Sequence, residues 1–299
     1  MQENGKNGNS LTDPMVLAKL SRLEVRARGV VEGSFSGMHK SPHRGSSVEF
    51  AEYRKYVPGD DIKHVDWKVF AKTDRFYIKE FEADTNLRCH LVVDRSASMG
   101  YGSVGLSKYE YARKMAATLA QILVQQGDAV GLQCFDERVS DDLPARASPR
   151  HLHNVFDILK KGSPEGRTEI IGVLHALAEK IRRRAMIVVF SDFFTETDEL
   201  LDCFQHMKFR KHDLAVFHLM DPEELEFGFD RSVKFVDMES SVSVVTEPAV
   251  MRNAYMRELG KYLDEMRRGC LEFHVDYRMV NISTPYDAVL MNFLLARNR

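Results

Sequence analysis

The sequence predicts an α/β protein with a mostly parallel sheet and helices on both of its faces. From Cys89 onward, short apolar runs of strand length alternate with amphipathic patterns of helical period, which is the arrangement typical of such sheets. Two of the apolar runs end in oxygen-bearing residues, at Asp94 and at Ser191-Asp192. With 299 residues, 44% of them hydrophobic, the chain is long enough to bury a large core.

We divide the chain into two predicted domains. Residues 1–86 form an N-terminal segment with one helix followed by short strands, and residues 87–299 form the sheet domain with a C-terminal hairpin, helix and last strand. The first helix is capped by Thr12 or Asp13, and its apolar face continues to Ala27. We expect the smaller segment to pack on the sheet domain.

The elements of the sheet domain follow from periodicity and capping signals. Ser107 and Glu110 have the spacing of a capping box at the start of a helix. The predicted strands are Cys89–Asp94, Ala129–Phe135, Met186–Phe190 and Leu214–Met220, followed by a hairpin over Ser232–Val245 and a last strand over Leu271–Tyr277. The predicted helices after the one capped at Ser107 are Pro149–Lys161, Thr168–Arg184, Val250–Arg268 and Asp287–Arg297.

Composition and charge argue against several classes of protein. A net charge of -2 creates no field that would attract nucleic acid or an anionic membrane. Cys89, Cys134, Cys203 and Cys270 are widely separated in apolar stretches, which favours reduced core thiols over a zinc site or disulfides. The strongest apolar run, Ala185–Phe190, is too short to span a bilayer, and the N-terminus has no apolar centre of a signal peptide. We therefore expect a cytoplasmic protein without a transmembrane segment.

Five oxygen-bearing residues form the candidate metal site. Asp94, Ser96 and Ser98 alternate after a strand, so an extended loop would point all three side chains the same way. If the strands before Asp94 and Asp192 are neighbours where the strand order reverses, both aspartates face one site, and Thr168 at a helix start could complete it. We call these five residues the switch-point site. Hard oxygen ligands of this kind suit Mg²⁺ or Mn²⁺.

The spacing of these five residues resembles the metal-ion-dependent adhesion site of von Willebrand factor A domains. The resemblance implies a von Willebrand factor A-like sheet. It also implies that the two serines and the threonine contact the metal directly or through water, while the aspartates mostly hold its water shell. One coordination position would stay open for an acidic side chain of a partner protein.

A second resemblance covers nearly the whole chain. The pattern is similar to that of domain-of-unknown-function family 58, with Ser47 where glycine is expected and Lys72 where arginine is usual. The matching residues are Gly45, Glu49, Phe50, Arg54, Tyr56, Gly59, Asp60, Asp61, Asp66, Trp67, Ala71, Asp221-Pro222-x-Glu224 and Thr284-Pro285-Tyr286-Asp287. Members resemble accessory proteins that work beside MoxR-type AAA+ ATPases in bacteria, which implies an adaptor for an acidic protein client rather than a catalyst.

The role of one part of this signature stays open. Arg54, Asp60, Asp61, Asp66 and Trp67 could form a structural clamp beside the core or a surface for a partner. The sequence does not decide between these two roles.

Several alternatives to metal-dependent protein binding remain. The run from Gly100 to Gly105 matches G-x-G-x-x-G and could open a dinucleotide site of an oxidoreductase, although five residues separate it from the strand end. Ser96 or Ser98 could be the nucleophile of a hydrolase, but neither lies in a G-x-S-x-G elbow. The enzyme could also be a metal hydrolase. The same oxygens could also serve only as turn and cap residues, or form a metal site that is never used.

Overall fold

The structure, a computed structural model, describes residues 11–27, 48–55, 67, 69–70, 75–83, 87–229, 233–236, 238–239, 243–246 and 248–298. The chain divides into two units, one of residues 1–29 and 87–299 and the other of residues 30–86. The boundary predicted between residues 86 and 87 coincides with one junction of these units. Residues up to 29, however, group with the sheet unit and not with the segment that follows them.

Strands and helices alternate along most of the described chain. The strands are β1 (Val48–Lys55), β2 (Tyr77–Ala83), β3 (Arg88–Asp94), β4 (Ala129–Phe135), β5 (Val139–Arg146), β6 (Met186–Ser191), β7 (Asp213–Met220), β8 (Val233–Val236), β9 (Ser243–Thr246) and β10 (Asp276–Asn281). The helices are α1 (Pro14–Leu20), α2 (Lys108–Gln125), α3 (Pro149–Lys161), α4 (Ile170–Lys180), α5 (Thr197–Phe209), α6 (Pro222–Glu226), α7 (Pro248–Glu272) and α8 (Tyr286–Arg297).

The sheet unit confirms the predicted fold class. Six strands lie in the order β10-β7-β6-β3-β4-β5, and only β5, at one edge, runs antiparallel to its neighbour. Side chains of β3 alternate between two cores: Leu91 and Val93 pack with α2 and α8, whereas Val92 packs with α4 and α5. Because successive side chains of a strand point to opposite faces, helices cover both faces of the sheet.

The strand order reverses between β3 and β6. These two strands pair in parallel, with Val93 opposite Phe190, so Asp94 and Ser191 end neighbouring strands at the same edge. From here the chain builds outward to β4 and β5 on one side and to β7 and β10 on the other. Ligands of open α/β sheets bind at such a switch point, outside the carboxyl ends of the strands.

The first helix is shorter than predicted. Asp13 caps α1 by accepting a hydrogen bond from the backbone N–H of Met15, but the helix ends at Leu20 and not near Ala27. The reason is tertiary: the side chain of Gln126 accepts from the Val25 N–H and donates to the Leu23 carbonyl. These backbone groups are therefore bonded to the residue that follows α2 and not to the next helical turn.

Two other boundaries predicted from periodicity were wrong. The strand predicted over Leu271–Tyr277 is β10, which begins only at Asp276, because α7 continues to Glu272. One of the residues that separate them, His274, adopts a left-handed conformation with φ of 54°. The helix predicted over Thr168–Arg184 is α4 and is shorter at both ends.

Three elements were absent from the prediction: β5, α5 and the short helix α6. The edge strand β5 has only partly buried or exposed side chains and contains Pro144, so no apolar run marks it. Helix α5 starts with two acids in its first turn, Asp198 and Glu199, and lies between two strands that were predicted. The predicted hairpin over Ser232–Val245 is confirmed by the antiparallel pair β8 and β9.

The four cysteines are buried and unpaired, as predicted for core thiols. Burial raises the pKa of the Cys134 thiol to about 12, so this thiol stays protonated at neutral pH. In the described part of the chain, no helix is long and apolar enough to cross a membrane.

The second unit contains an antiparallel pair, β1 and β2, with Val48 opposite Ala83. Trp67 is 56% exposed, and its ring meets the rings of Phe70 and Phe76 edge to face. The other members of the family-like signature, Asp60, Asp61, Asp66 and the side chain of Arg54, lie outside the described residues. Their role as a clamp or a partner surface stays a prediction.

Candidate metal centre

Two buried carboxylates meet at the switch point. Asp94 ends β3 and Asp192 follows β6, and each is almost wholly buried. Oδ2 of Asp94 accepts a hydrogen bond of 2.5 Å from the hydroxyl of Ser191. Burial, together with the negative charge of Asp192, raises the pKa of the Asp94 carboxyl to about 7. The pairing of β3 with β6 therefore places the two predicted aspartates in one site.

The loop after β3 brings two hydroxyls to the same edge. Oδ1 of Asp94 accepts from the backbone N–H of Ser96 at 2.8 Å, and a short 3₁₀ helix begins at Ala97. The hydroxyl oxygens of Ser96 and Ser98 lie 3.0 Å apart. A side-chain turn followed by a 3₁₀ helix, and not the extended loop that we predicted, makes them converge.

Thr168 lies in a second loop that is bonded to the first. The N–H of Ala97 donates to the carbonyl of Gly166 at 3.0 Å, and the N–H of Glu165 donates to the carbonyl of Arg95 at 2.8 Å. Gly166 has φ of 77°, a backbone conformation that favours glycine. Thr168 is half-buried two residues later, so these bonds hold its loop against the loop of the two serines.

A buried lysine that we did not predict also belongs to this region. The ammonium group of Lys108 lies 2.7 Å from Oδ2 of Asp192 and 2.6 Å from Oε1 of Glu224. Burial acts to lower the pKa of Lys108, but the two carboxylates outweigh it and the pKa is raised. One sequence signal could have found this residue: Lys108 falls at helical spacing on the same face as Ala112 and Met115, which are both buried.

The donor set of the switch-point site fits a small hard cation. In the described structure, the buried Oδ1 of Asp192 has no hydrogen-bond partner. Two adjacent ligands of octahedral Mg²⁺, with bonds of about 2.1 Å, lie about 3.0 Å apart, which matches the separation of the two serine oxygens. No three His, Cys, Asp or Glu side chains converge on a metal position among the described residues. A cation here would therefore depend on the hydroxyls as well as the aspartates.

The charges around the switch-point site would also favour a bound cation. Asp192 and Glu224 pair with the ammonium group of Lys108, and the carboxylate of Asp94 lies close enough to Asp192 to feel its negative charge. Buried charges are costly unless they are paired. A divalent cation would offset the remaining negative charge.

Comparison with known proteins assigns the family. A model of the family described as "Protein of unknown function DUF58" matches residues 52–262. The chain belongs to the DUF58 family. It is similar to the uncharacterized protein Rv1480 of Mycobacterium tuberculosis strain H37Rv and to the uncharacterized protein Mb1516 of Mycobacterium bovis. Each of the two is 28% identical over 97% of this chain and 92% of the relative.

Solved structures give weaker matches to this DUF58 chain. BatB of Bacteroides thetaiotaomicron is 14% identical, with a TM-score of 0.48 over 71% of this chain and 98% of that one. An aerotolerance-related membrane protein of Bacteroides fragilis is 17% identical, with a TM-score of 0.46 over 71% of this chain and all of that one. The fold assignment rests on the order and direction of the strands and not on these likenesses.

The glycine-rich loop of the DUF58 chain has a structural explanation. A Cβ atom on Gly102 would lie 2.2 Å from the carbonyl oxygen of Leu106, so the loop is closed on its own backbone. The N–H and hydroxyl of Ser103 donate to the carboxylate of Asp221 at 2.8 and 2.6 Å. A dinucleotide phosphate would need such an N–H group, and here it is bonded to a carboxylate. These contacts favour a packed turn over a dinucleotide site.

Proposed function

We propose that this DUF58 protein binds partner proteins through a divalent cation, Mg²⁺ or Mn²⁺, held at the switch-point site. The observation that carries the proposal is the meeting of two buried carboxylates with serine hydroxyls where the strand order reverses, beside the loop that carries Thr168. Neutral hydroxyl ligands leave the cation electrophilic, and it would attract a carboxylate from outside. The aspartates would hold the water shell of the cation.

The surroundings of the site support a protein as the partner. The side chains of Phe194 and Met238 are 56% and 48% exposed. The ring of Phe194 lies 4.9 Å from the ammonium group of Lys108, and Met238 approaches Gly100, at the end of the 3₁₀ helix. Exposed apolar side chains beside a polar centre are typical of protein contact surfaces. The partner group would be an acidic side chain with apolar neighbours.

The resemblance to accessory proteins of MoxR-type AAA+ ATPases supports a more specific role. The chain would be an adaptor between such an ATPase and an acidic protein client in the bacterial cytoplasm. The sequence contains no G-x-x-x-x-G-K-[ST] motif, which fits a partner of the ATPase better than the ATPase itself. In this role the protein is not an enzyme.

The test combines metal titration with capture of partners. Mg²⁺ and Mn²⁺ binding is measured by calorimetry, and proteins of a lysate are captured with wild type in Mg²⁺, wild type in EDTA and Asp94→Ala. Loss of a carboxylate that holds a bridging ion and its water shell should weaken partner binding by about 30-fold or more. Ser98→Ala, which removes one half-buried hydroxyl, provides a second and milder variant, and Asp157→Ala on α3 is the control at an exposed acid.

An AAA+ ATPase or acidic client retained by wild type only in Mg²⁺, lost with Asp94→Ala and kept with Asp157→Ala, would support the proposal. The same proteins captured under all conditions, or no cation bound by wild type, would contradict it. Folding of each variant is checked by its melting temperature.

A further inference from the structure

The turn of the β8–β9 hairpin lies on the switch-point site. Cε of Met238 would come within 3.5 Å of a Cβ atom on Gly100. The side chain of Arg167 donates from Nε to the carbonyl of Glu239 at 3.3 Å. The hairpin turn, Met238 and Glu239, therefore contacts both loops that carry the hydroxyls of the site.

The carboxylate of Glu239 directly contacts one residue of the switch-point site, Thr168. The hydroxyl of Thr168 donates to Oε1 of Glu239 at 3.0 Å, and the N–H of Thr168 donates to Oε2 at 3.2 Å. Both oxygens of the carboxylate are thus fixed against one threonine. Glu239 is half-buried, and its side chain is oriented by these two bonds.

The distance between the two oxygens also suits a shared cation. Oγ1 of Thr168 and Oε1 of Glu239 are 3.0 Å apart, and adjacent ligands of octahedral Mg²⁺ are separated by about 3.0 Å. A hydroxyl oxygen has two lone pairs besides its proton, so Thr168 can face a cation while it stays beside the carboxylate. An acidic side chain is the group that an open position beside neutral hydroxyls would attract.

From these contacts we infer that Glu239 is an internal ligand of the cation, in the position that a partner's carboxylate would take. The inference rests on the proposed function. It adds that the carboxylate of Glu239 competes with the partner's carboxylate for the cation. A partner must displace Glu239, and with it the hairpin turn, before its own acid reaches the cation. The protein without a partner therefore holds the cation in a closed coordination shell.

The test uses the full chain with Mn²⁺ alone and compares wild type, Glu239→Gln and Glu165→Gln. Glu165 is exposed, lies in the same loop as Thr168 and bonds Ser163, so its variant is the control for loss of one negative charge. Mn²⁺ affinity is measured from the electron paramagnetic resonance signal of the free ion. The number of water molecules bound to the protein-held ion is measured from proton relaxation.

We expect Glu239→Gln to lower Mn²⁺ affinity about 10-fold or more and to add one water molecule to the bound ion, while Glu165→Gln changes neither. A lower affinity with an unchanged water number would mean that Glu239 acts only through Thr168, and would overturn the inference. Equal affinity and water number in all three proteins would overturn it while leaving the proposed function intact. Failure of wild type to bind Mn²⁺ would overturn both.

Discussion

Lys108 shows how strongly a single residue can depend on its neighbours. Its side chain is fully buried, although an unpaired ammonium group in a protein interior is very unfavourable. Its two carboxylate partners, Asp192 and Glu224, come from different elements, one after β6 and one in α6. A buried ion pair adds little net stability as a whole, but removal of one partner leaves the others buried without compensation.

Replacement of Lys108 by methionine should therefore destabilise the protein by about 3 kcal/mol or more. The methionine keeps most of the aliphatic volume, so the loss reports the missing charge and not a cavity. Lys114→Met on the same helix is the control, because the described structure gives Lys114 no ion pair. Urea unfolding measures both variants, and a loss below about 1 kcal/mol for Lys108→Met would show that water reaches the two carboxylates.

At the scale of elements, hydrogen bonds of backbone and side-chain groups hold the loop between β3 and α2 in place. It runs from the 3₁₀ helix to Ser107, whose side chain forms a capping box with Glu110 at the start of α2. On the way, Ser103 bonds Asp221, which is itself the cap of α6. One loop thus links two helix starts with the edge of the sheet where the switch-point site lies.

Gly102→Ala should disrupt this loop, because the added Cβ would lie 2.2 Å from the Leu106 carbonyl oxygen and 2.7 Å from Cα of Ser107. We expect a destabilisation of about 1–3 kcal/mol, as for other overpacked positions. Gly172→Ala is the matched variant, since a Cβ there meets nothing within 4 Å and lies in α4, where alanine is favoured by up to about 1 kcal/mol. Thermal unfolding should thus shift in opposite directions for the two variants, and a shift in the same direction would contradict this explanation.

At the scale of the whole molecule, one arginine joins the two ends of the sheet unit. The guanidinium of Arg297 in α8 bonds Asp213 of β7 at 2.6 Å and Asp276 of β10 at 3.2 Å. It also donates to the carbonyl of Arg26 at 2.9 Å. The bond to Arg26 ties the end of the described N-terminal stretch to the sheet unit, with which residues 1–29 group.

Two histidines, the half-buried His90 and the buried His212, should make the stability of the sheet unit depend on pH. Burial lowers the pKa of His90, and likewise that of His212, to about 4. Between about pH 6.5 and 4 the unfolded chain therefore binds protons that the folded chain does not bind, and stability falls as the pH decreases. Each such group contributes at most about 1.4 kcal/mol per pH unit within that window. The raised pKa of Asp94 has the opposite effect, because the folded chain then binds a proton that the unfolded chain does not bind, and stability rises as the pH decreases.

Urea unfolding from pH 7 to pH 4 measures this dependence, and His90→Gln isolates one contribution. The variant should lose less stability on acidification than wild type does, because glutamine takes up no proton. Parallel curves for the two proteins would show that His90 does not cause the loss.

Four parallel strands, β3, β4, β6 and β7, the oxygens at the ends of β3 and β6, and the capped helix α2 could be predicted from the sequence. They depend on local causes: a continuous apolar run, Met186–Phe190, forms most of β6, and Ser107 caps its own helix three residues from Glu110. The neighbouring positions of Asp94 and Asp192 were predicted only on the condition that their two strands pair, and the pairing of β3 with β6 meets that condition.

Other features were determined only by the tertiary structure. In each of them, a backbone group or a side chain is bonded to residues that are distant in the sequence. Gln126 ends α1 by bonding residues about 100 positions away, and Lys108 is buried because two acids from other elements receive it. Glu239 reaches Thr168 only because the hairpin folds onto the site. The periodicity of apolar residues predicts on which face of a helix or strand a residue lies. Which residue it contacts on another element depends on how the elements pack.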